Sequence, residues 1–296
     1  VSRNLILIAS YPKSGNTWVR LFFENLLRKE RAAVSINDIS NGLYGFERRR
    51  FFDSHAAVAA ADLLPVEIEN LLPDLYAEWA QEAAGPVFIK VHDKARKTPS
   101  GRWLFPPEHV RAVLYLARQP FTVAVSYAHH RGISIDHAVD DLCDESHVIA
   151  AAEDHLPLPL AERPGSWNSN VASWLNQSCY PLTVARYEDL YANPLAEFAR
   201  LATATGLAAS AEALARAVDA TSFDRLQAEE LACGFRERPR SSPAFFRSGR
   251  PDSSTGMLNA QLHDRLALQC SPAMARLGYR ADGTHVPFPV VNDEWY

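Results

Sequence analysis

The apolar run Leu5-Ile6-Leu7-Ile8-Ala9 leads straight into Ser10-Tyr11-Pro12-Lys13-Ser14-Gly15-Asn16-Thr17-Trp18, and Val19, Leu21, Phe22, Leu26 and Leu27 follow at helical spacing. The run reads as a buried strand and the pattern after it as an amphipathic helix. A tight turn between a strand and a helix leaves the first helical amides without intrahelical acceptors. The positive end of the helix dipole adds to them, so such a junction binds anions, phosphates above all. Lys13 contributes a full charge there, and Ser14 and Thr17 contribute hydroxyl donors.

The order of these residues distinguishes two kinds of phosphate loop. Set against the triphosphate-binding pattern G-x-x-x-x-G-K-[ST], Gly15 takes the second glycine and Thr17 the final hydroxyl. Ser10 then stands at the first glycine and Asn16 at the lysine. An ATPase or kinase of that class needs the later lysine on the terminal phosphates and a hydroxyl on Mg²⁺. Here the only lysine of the loop, Lys13, precedes Gly15. That arrangement suits a ligand with less charge at its transferred end, and no metal is expected.

Of the 296 residues 47% are hydrophobic, ample for a large core. A formal charge of −5 without a long Lys/Arg block argues against a nucleic-acid partner. The one arginine triple, Arg48-Arg49-Arg50, reads as solvated surface. Cys143, Cys179, Cys233 and Cys270 show no C-x-x-C pairing, so neither a zinc site nor a disulfide framework is expected. Reduced thiols fit the cytoplasm. No apolar run reaches the length of a membrane span, and the first strand lacks the flanks of a signal peptide. A cytoplasmic protein is expected, with its oligomeric state open.

Strand-like runs recur at Leu5 to Ala9, Val87 to Val91, Ala112 to Ala117 and Leu182 to Ala185, separated by helical patterns. This favours an α/β fold around a largely parallel sheet. Asp62-Leu63-Leu64-Pro65 and Leu72-Pro73-Asp74 read as two helix starts, with Gly85 stopping the second. Asn193-Pro194 is a stronger start, and Leu195, Phe198, Leu201 and Ala202 share one face before Gly206. No long linker or repeat divides the chain, so residues 1–296 read as one domain. The polar, Pro-rich segments 143–166 and 234–256 read as surface or lid loops, and His285 to Tyr296 as an extended tail.

Five further segments carry chemistry. Val87-Phe88-Ile89-Lys90-Val91-His92 is a strand whose carboxyl end places Lys90 and His92 on one face, at the sheet edge where ligands collect. One of 10 histidines is ordinarily structural, but a histidine here can take a proton near neutral pH. Arg118 ends the next strand, Pro120 opens a helix carrying Ser126, and Gly132 stops it; His129 and His130 read as helix-end residues. An arginine fork suits a terminal phosphate. Arg186-Tyr187-Glu188-Asp189-Leu190, Thr221-Ser222-Phe223 and Phe246-Arg247-Ser248-Gly249 complete the set.

In this order the segments resemble the sulfotransferases that use 3′-phosphoadenosine 5′-phosphosulfate (PAPS), of the cytosolic type and as a bacterial member. Tyr11 to Trp18 is similar to that family's Y-P-K-S-G-T-T-W, with Asn16 for a threonine; Lys90-Val91-His92 to its K-T-H; Arg118 to His129 to R-[ND]-P-x-D-V-x-V-S-x-Y-x-H, with Gln119 and Thr122 as departures. Arg186 to Leu190 matches R-Y-E-D-L, Thr221 to Phe223 matches T-S-F, and Phe246 to Gly249 matches F-R-x-G. The resemblance covers residues 5 to about 250. It implies a P-loop NTPase-like three-layer α/β fold with a central sheet between helices. It also implies PAPS as co-substrate, adenosine 3′,5′-bisphosphate as product, and a small-molecule or natural-product acceptor.

Carried over residue by residue, the resemblance makes His92 the catalytic base, assisted by Lys13 and Lys90. Lys13, Ser14, Gly15, Asn16, Thr17 and Trp18 would hold the 5′-phosphosulfate end. Arg118, Ser126, Tyr187, Thr221, Phe223, Arg247, Ser248 and Gly249 would hold the rest of the nucleotide. Trp18 and Phe223 are placed to sandwich the base, although Phe223 reads equally well as core. After Gly249 the family continues to a second glycine and a tryptophan, whereas this chain reads Arg250-Pro251-Asp252-Ser253-Ser254-Thr255-Gly256. The short C-terminal dimer motif of animal cytosolic members has no copy. Trp103, Phe105, Trp167 and Trp174 are candidates for an acceptor wall or for core. The alternatives are a P-loop small-molecule kinase, disfavoured by the displaced lysine, and a non-catalytic nucleotide-binding module.

Overall fold

The computed structural model describes residues 2–28, 33–39, 45–151, 157, 159–252 and 256–286. All four expected runs are strands: β1 (Leu5–Ser10), β2 (Val87–Val91), β3 (Val110–Ala117) and β4 (Leu182–Arg186). They form a sheet in the order β2-β1-β3-β4, and every neighbouring pair is parallel. Leu7 of β1 lies between Ile89 and Val113, fully covered on both sides.

Parallel neighbours need crossover connections, which the helical patterns supply. Helices α1 (Asn16–Leu27), α2 (Arg49–His55) and α3 (Pro65–Glu82) lie between β1 and β2. Helices α4 (Pro120–Arg131), α5 (Ile135–Cys143) and α6 (Trp167–Asn176) lie between β3 and β4. Then come α7 (Tyr187–Ala192), α8 (Pro194–Ala204), α9 (Ala211–Ala220), α10 (Phe223–Cys233) and α11 (Ala260–Arg276). Alternation along β1 feeds two cores. Leu5, Leu7 and Ala9 pack with α3, α4, α5, α6 and α11, while Ile6 and Ile8 pack with α1, α8, α9 and α10. The result is the three-layer, P-loop-like arrangement.

From β1 the chain steps to β2 on one side and returns to β3 on the other, so the strand order reverses between β1 and β3. In open α/β sheets ligands bind at the carboxyl ends of the strands beside such a reversal. The Lys13 loop leaves β1 there, and Arg118 directly follows β3.

One expected boundary is absent. Leu72-Pro73-Asp74 does not open a second helix; α3 runs through Pro73 from Pro65 to Glu82. A proline deletes a single intrahelical hydrogen bond. Ile68, Leu75 and Tyr76 bury one face of α3 across that point, and burial outweighs the local break. The loop 250–256 is described except for 253–255, and the expected tail beyond Val286 lies outside the described residues. Among the described residues no helix is long and apolar enough to cross a membrane, and all four cysteines are free thiols.

Trp167 and Trp174 are core, not acceptor wall. Both side chains are fully buried on α6, and their indole N–H groups donate to the carbonyls of Arg118 (3.2 Å) and Asp93 (3.1 Å). They pin the chain just past the ends of β3 and β2, where the site is built. Trp174→Phe keeps most of the apolar bulk but leaves the Asp93 carbonyl buried without its donor. It is expected to cost about 1–3 kcal/mol of stability, seen as a lowered urea midpoint with an unchanged slope.

Candidate active site

The loop after β1 is held in a tight arch by its backbone. Lys13 (φ 70°) and Gly15 (φ 100°) both lie in the left-handed region. At Gly15 a Cβ would come within 2.8 Å of the Tyr187 ring, so both conformation and space require glycine. Asn16 donates through Nδ2 to the Ile8 carbonyl (2.8 Å) and to Ser10 Oγ (3.2 Å), which ties the loop back onto β1. Its amide N–H groups are spent inside the protein. Thr17 Oγ1 accepts from Arg20 Nη2 at 3.1 Å, so its own hydroxyl proton is left to give. The Ser14 Oγ, Trp18 Nε1 and Arg118 Nε atoms are buried with no hydrogen-bond partner among the described residues. Buried polar groups are normally paired. An orphaned hydroxyl and an orphaned guanidinium N–H beside free helix amides fit a phosphate-bearing ligand.

Past β2 stands His92, with Lys90 two residues before it on the strand. His92 Nδ1 lies 2.9 Å from the Ser10 carbonyl oxygen, which can only accept. Nδ1 therefore carries the proton, and Nε2 presents its lone pair. Burial, reinforced by the charge of Lys90, holds the His92 imidazole well below the usual histidine range, so it is neutral and basic in form near pH 7. Glu162 positions this end of β2: its Oε1 accepts from the His92 backbone N–H (3.0 Å), and its Oε2 lies 3.6 Å from Lys90 Nζ. Asn170 Nδ2 donates to the His92 carbonyl at 3.1 Å. Lys13 Nζ sits 3.3 Å from His130 Nδ1 and 4.2 Å from the centre of the Phe245 ring. Burial, then the Arg118 charge, pulls the Lys13 amine down to about 7.

The other end of the site is built around Arg118. Its guanidinium lies 3.9 Å from the Tyr187 ring centre, and it donates to the carbonyls of Lys13 (3.3 Å) and Arg250 (3.0 Å). Burial lowers its pKa, and the positive charge of Arg247 acts in the same direction. Arg247 also adds to the burial that depresses His129, so Arg118, Arg247 and His129 bear on one region. Tyr187 donates its hydroxyl to the Gly249 carbonyl (2.5 Å) and packs edge-on to Trp18. Gly249 (φ 64°) lies so close to Phe223 that a Cβ would fall 2.2 Å from the ring. Ser126 is half-buried on α4, and Ser248 Oγ lies 3.4 Å from the Arg250 N–H. Thr221 is fully buried and gives its hydroxyl to the Ala217 carbonyl (2.8 Å) at the end of α9. Its side chain braces the turn before Phe223.

Loops close over these groups. Gln119 Nε2 (3.0 Å) and Thr122 Oγ1 (2.8 Å) both donate to the Pro251 carbonyl. The two departures from the family pattern, at the N-cap and in the first turn of α4, thus grip the departing segment 250–252. Arg20 is fully buried on α1, and its ion pair with Glu237 (2.6 Å) ties the same loop to the phosphate arch. On the other side, the Leu160 N–H donates to the Glu47 carbonyl (2.7 Å), which joins segments 45–48 and 159–163. Glu47, Lys90, Asp93, Phe105, Tyr76 and Glu162 line a small cavity there, about 20 Å³, room for roughly one water. Burial pushes the Glu47 carboxyl up to about 7 against the pull of Lys90.

Lys13, Ser14, Gly15, Thr17, Trp18, Lys90, His92, Arg118, Tyr187, Phe223, Arg247 and Gly249 thus collect at the reversal of the sheet. Sequence reasoning missed His130, Glu162 and Glu237. His130 follows Ser126 by four residues on one helix face, a spacing that points to it. Glu162 and Glu237 lie in irregular loops, where no periodicity marks them.

The chain matches the sulfotransferase domain family over residues 3–278. Mouse (Mus musculus) sulfotransferase 1B1 is 26% identical over 230 residues, covering 76% of this chain and 66% of that protein. Dog (Canis lupus familiaris) sulfotransferase 1A1 is 26% identical over 234 residues, covering 77% and 67%. The aligned part thus spans about two thirds of these relatives. In fold the chain is similar to mouse sulfotransferase SULT7A1 complexed with PAP, with TM-score 0.58, 14% identity, and 93% and 84% of the two chains covered. Retinol dehydratase in a complex with retinol and PAP gives TM-score 0.58 at 18% identity, covering 98% of this chain and 84% of that one. With the family match running from the first strand to beyond the last helix, this chain belongs to the sulfotransferase domain family.

Proposed function

We propose that this sulfotransferase moves a sulfuryl group from PAPS to a hydroxyl or amine of a small-molecule acceptor, with His92 as general base. The observation that carries the reading is the setting of His92 Nδ1, 2.9 Å from the Ser10 carbonyl oxygen, which can only accept, and 3.3 Å from Ser10 Oγ. The Nδ1–H of His92 is committed to the Ser10 carbonyl, so its basic Nε2 is left for an acceptor proton. Bound PAPS supplies an activated sulfuryl group on a phosphate leaving group. His92 takes the acceptor's proton as the acceptor atom bonds to sulfur. Lys13 and the loop amides meet the charge that gathers on the phosphate as the old S–O bond breaks. Ser14 and Thr17 add hydroxyl donors, and Lys90 assists by charge. Arg118, Ser126 and Arg247 hold the 3′-phosphate, and Tyr187, Phe223, Ser248, Gly249 and Trp18 shape the nucleotide cleft. Fixing the donor at both ends fixes where the sulfur lies relative to His92. One domain carries both substrates in this reading, and four free thiols support a reducing, cytoplasmic setting.

Calorimetry with adenosine 3′,5′-bisphosphate without metal, against ATP with Mg²⁺, separates this from the kinase reading. Tight binding of the bisphosphate alone is expected; tight binding of ATP alone would replace sulfuryl with phosphoryl transfer. Labelled PAPS offered with panels of phenols, alcohols and amines then separates an enzyme from a passive binder.

His92→Ala is expected to lower turnover by about 10²–10⁴-fold while changing bisphosphate affinity less than about threefold. Full activity in that variant would remove His92 from the mechanism.

The pH profile follows from the same two groups. His92 must be neutral, and its lowered pKa keeps it so below the ordinary histidine range, so the acid limb of kcat/KM falls well under pH 6.5. Lys13 must be charged, and its amine loses the proton as pH rises through about 7, so kcat/KM declines above that point. A single acid limb at pH 6.5 with a plateau to pH 9 would contradict both assignments.

A further inference from the structure

Among the described residues His130 is the one imidazole in hydrogen-bond reach of the loop lysine, and it has no part in the mechanism above. It stands in the last turn of α4, one turn beyond Ser126 and on the same face. Its Nδ1 lies 3.3 Å from Lys13 Nζ. An ammonium has three N–H donors and no acceptor, so Nδ1 accepts and the ring proton of His130 is on Nε2. Phe245 completes the cradle. Its face lies 4.2 Å from Lys13 Nζ, and its ring meets that of His130 edge-on at 5.8 Å. Ser241, from the same loop, donates its hydroxyl to the His130 carbonyl (3.2 Å). Lys13 starts from a left-handed backbone (φ 70°), a conformation that must be stabilised by its surroundings. Its side chain is therefore directed from both ends, by the arch below and by the imidazole and phenyl ring above.

We propose that His130 is a positioning residue for Lys13: it accepts one ammonium N–H and aims the other two at the phosphate group that leaves. This rests on the PAPS reading of the site. The groups that face Lys13 are Arg118 past β3, Glu237 in the lid loop and Glu230 on α10; those that face His130 are Lys13, His92, Lys90 and Glu237. Burial and then the Lys13 charge press His130 down to about 3, so it stays a neutral acceptor throughout the working range. A neutral acceptor favours the charged lysine, so its removal lets Lys13 lose its proton at lower pH.

The test is calorimetric titration of adenosine 3′,5′-bisphosphate from pH 5.5 to 9 into the unaltered protein, His130→Phe and His130→Gln. Phenylalanine fills the space without an acceptor; glutamine restores an acceptor oxygen. In the unaltered protein affinity should fall as pH rises through about 7. His130→Phe should bind about tenfold more weakly at pH 7, with the fall beginning about half a unit or more lower. His130→Gln should recover to within about threefold. Near-UV circular dichroism of each variant checks that its fold is retained.

An unchanged profile in His130→Phe overturns the proposal while leaving the PAPS reading intact. Tighter binding in that variant overturns it as well, because His130 would then compete with the ligand for Lys13. Equal loss in both variants reduces His130 to a packing role. Failure of the unaltered protein to bind the bisphosphate at any pH is the separate result that brings down the PAPS reading itself.

Discussion

Everything in the site is referred to a backbone arch in which Lys13 and Gly15 both occupy the left-handed region, between the last residue of β1 and the first turn of α1. Neither residue is held there by its own preference alone. Asn16 pulls the start of α1 against β1 through the Ile8 carbonyl, and Tyr187 closes on the bare Cα of Gly15. Trp167 fixes the neighbouring strand end by donating to the Arg118 carbonyl, and Arg118 in turn donates to the Lys13 carbonyl. The arch is thus tied from the strand below, from β3 at its side and from the segment after β4. Free helix amides are useful for binding an anion only if they do not move when charge arrives, and these ties provide that rigidity.

The same logic explains why the departures from the family pattern fall where they do. The segment after Gly249, which lacks the glycine and tryptophan of the family pattern, has other fastenings. Gln119 and Thr122 supply two of them, both donating to the Pro251 carbonyl. Arg118 donates to the adjoining Arg250 carbonyl, and Tyr187 to that of Gly249. Residues that look like independent substitutions along the sequence converge on one short stretch of main chain. Glu237 fastens the same loop at its other end through the buried Arg20, so the loop is held to α1 and to the start of α4 together.

The strands, the arch and His92 were legible because each depends on local pattern: a continuous apolar run, a glycine at a positive φ, a histidine just past a strand end. Pro73 misled because a local rule met a helix face that buries Ile68, Leu75 and Tyr76, and the tertiary contact won. Thr221 was legible as part of a turn. Its motif marks the turn before α10, and its hydroxyl donates to the Ala217 carbonyl at the end of α9. Glu162 and Glu237 were invisible since their partners, Lys90 and Arg20, lie far away in sequence and the loops that carry them have no period. His130 lay in between. Its helix was recognised, but that its helix faces the phosphate arch follows only from the strand order.

That convergence has an electrostatic consequence. Lys13, Arg118 and Arg247 are brought near one another, and burial together with their mutual repulsion lowers the pKa of both Lys13 and Arg118. Like charges gathered in a dry cleft oppose folding by themselves. Glu237 and Glu230 offset part of this at Lys13, raising its pKa against the larger lowering causes. In the proposed reading an anion carrying phosphates at both ends would remove the remainder, because each of its charges would restore to the cations the partner that burial took away. Binding therefore draws on repulsion already present in the folded protein, and such a ligand at a hundredfold excess over its dissociation constant stabilises the fold by about 2.7 kcal/mol. The orphaned Ser14 hydroxyl and Arg118 Nε belong to the same proposed account: they are buried polar groups whose desolvation the bound ligand would offset.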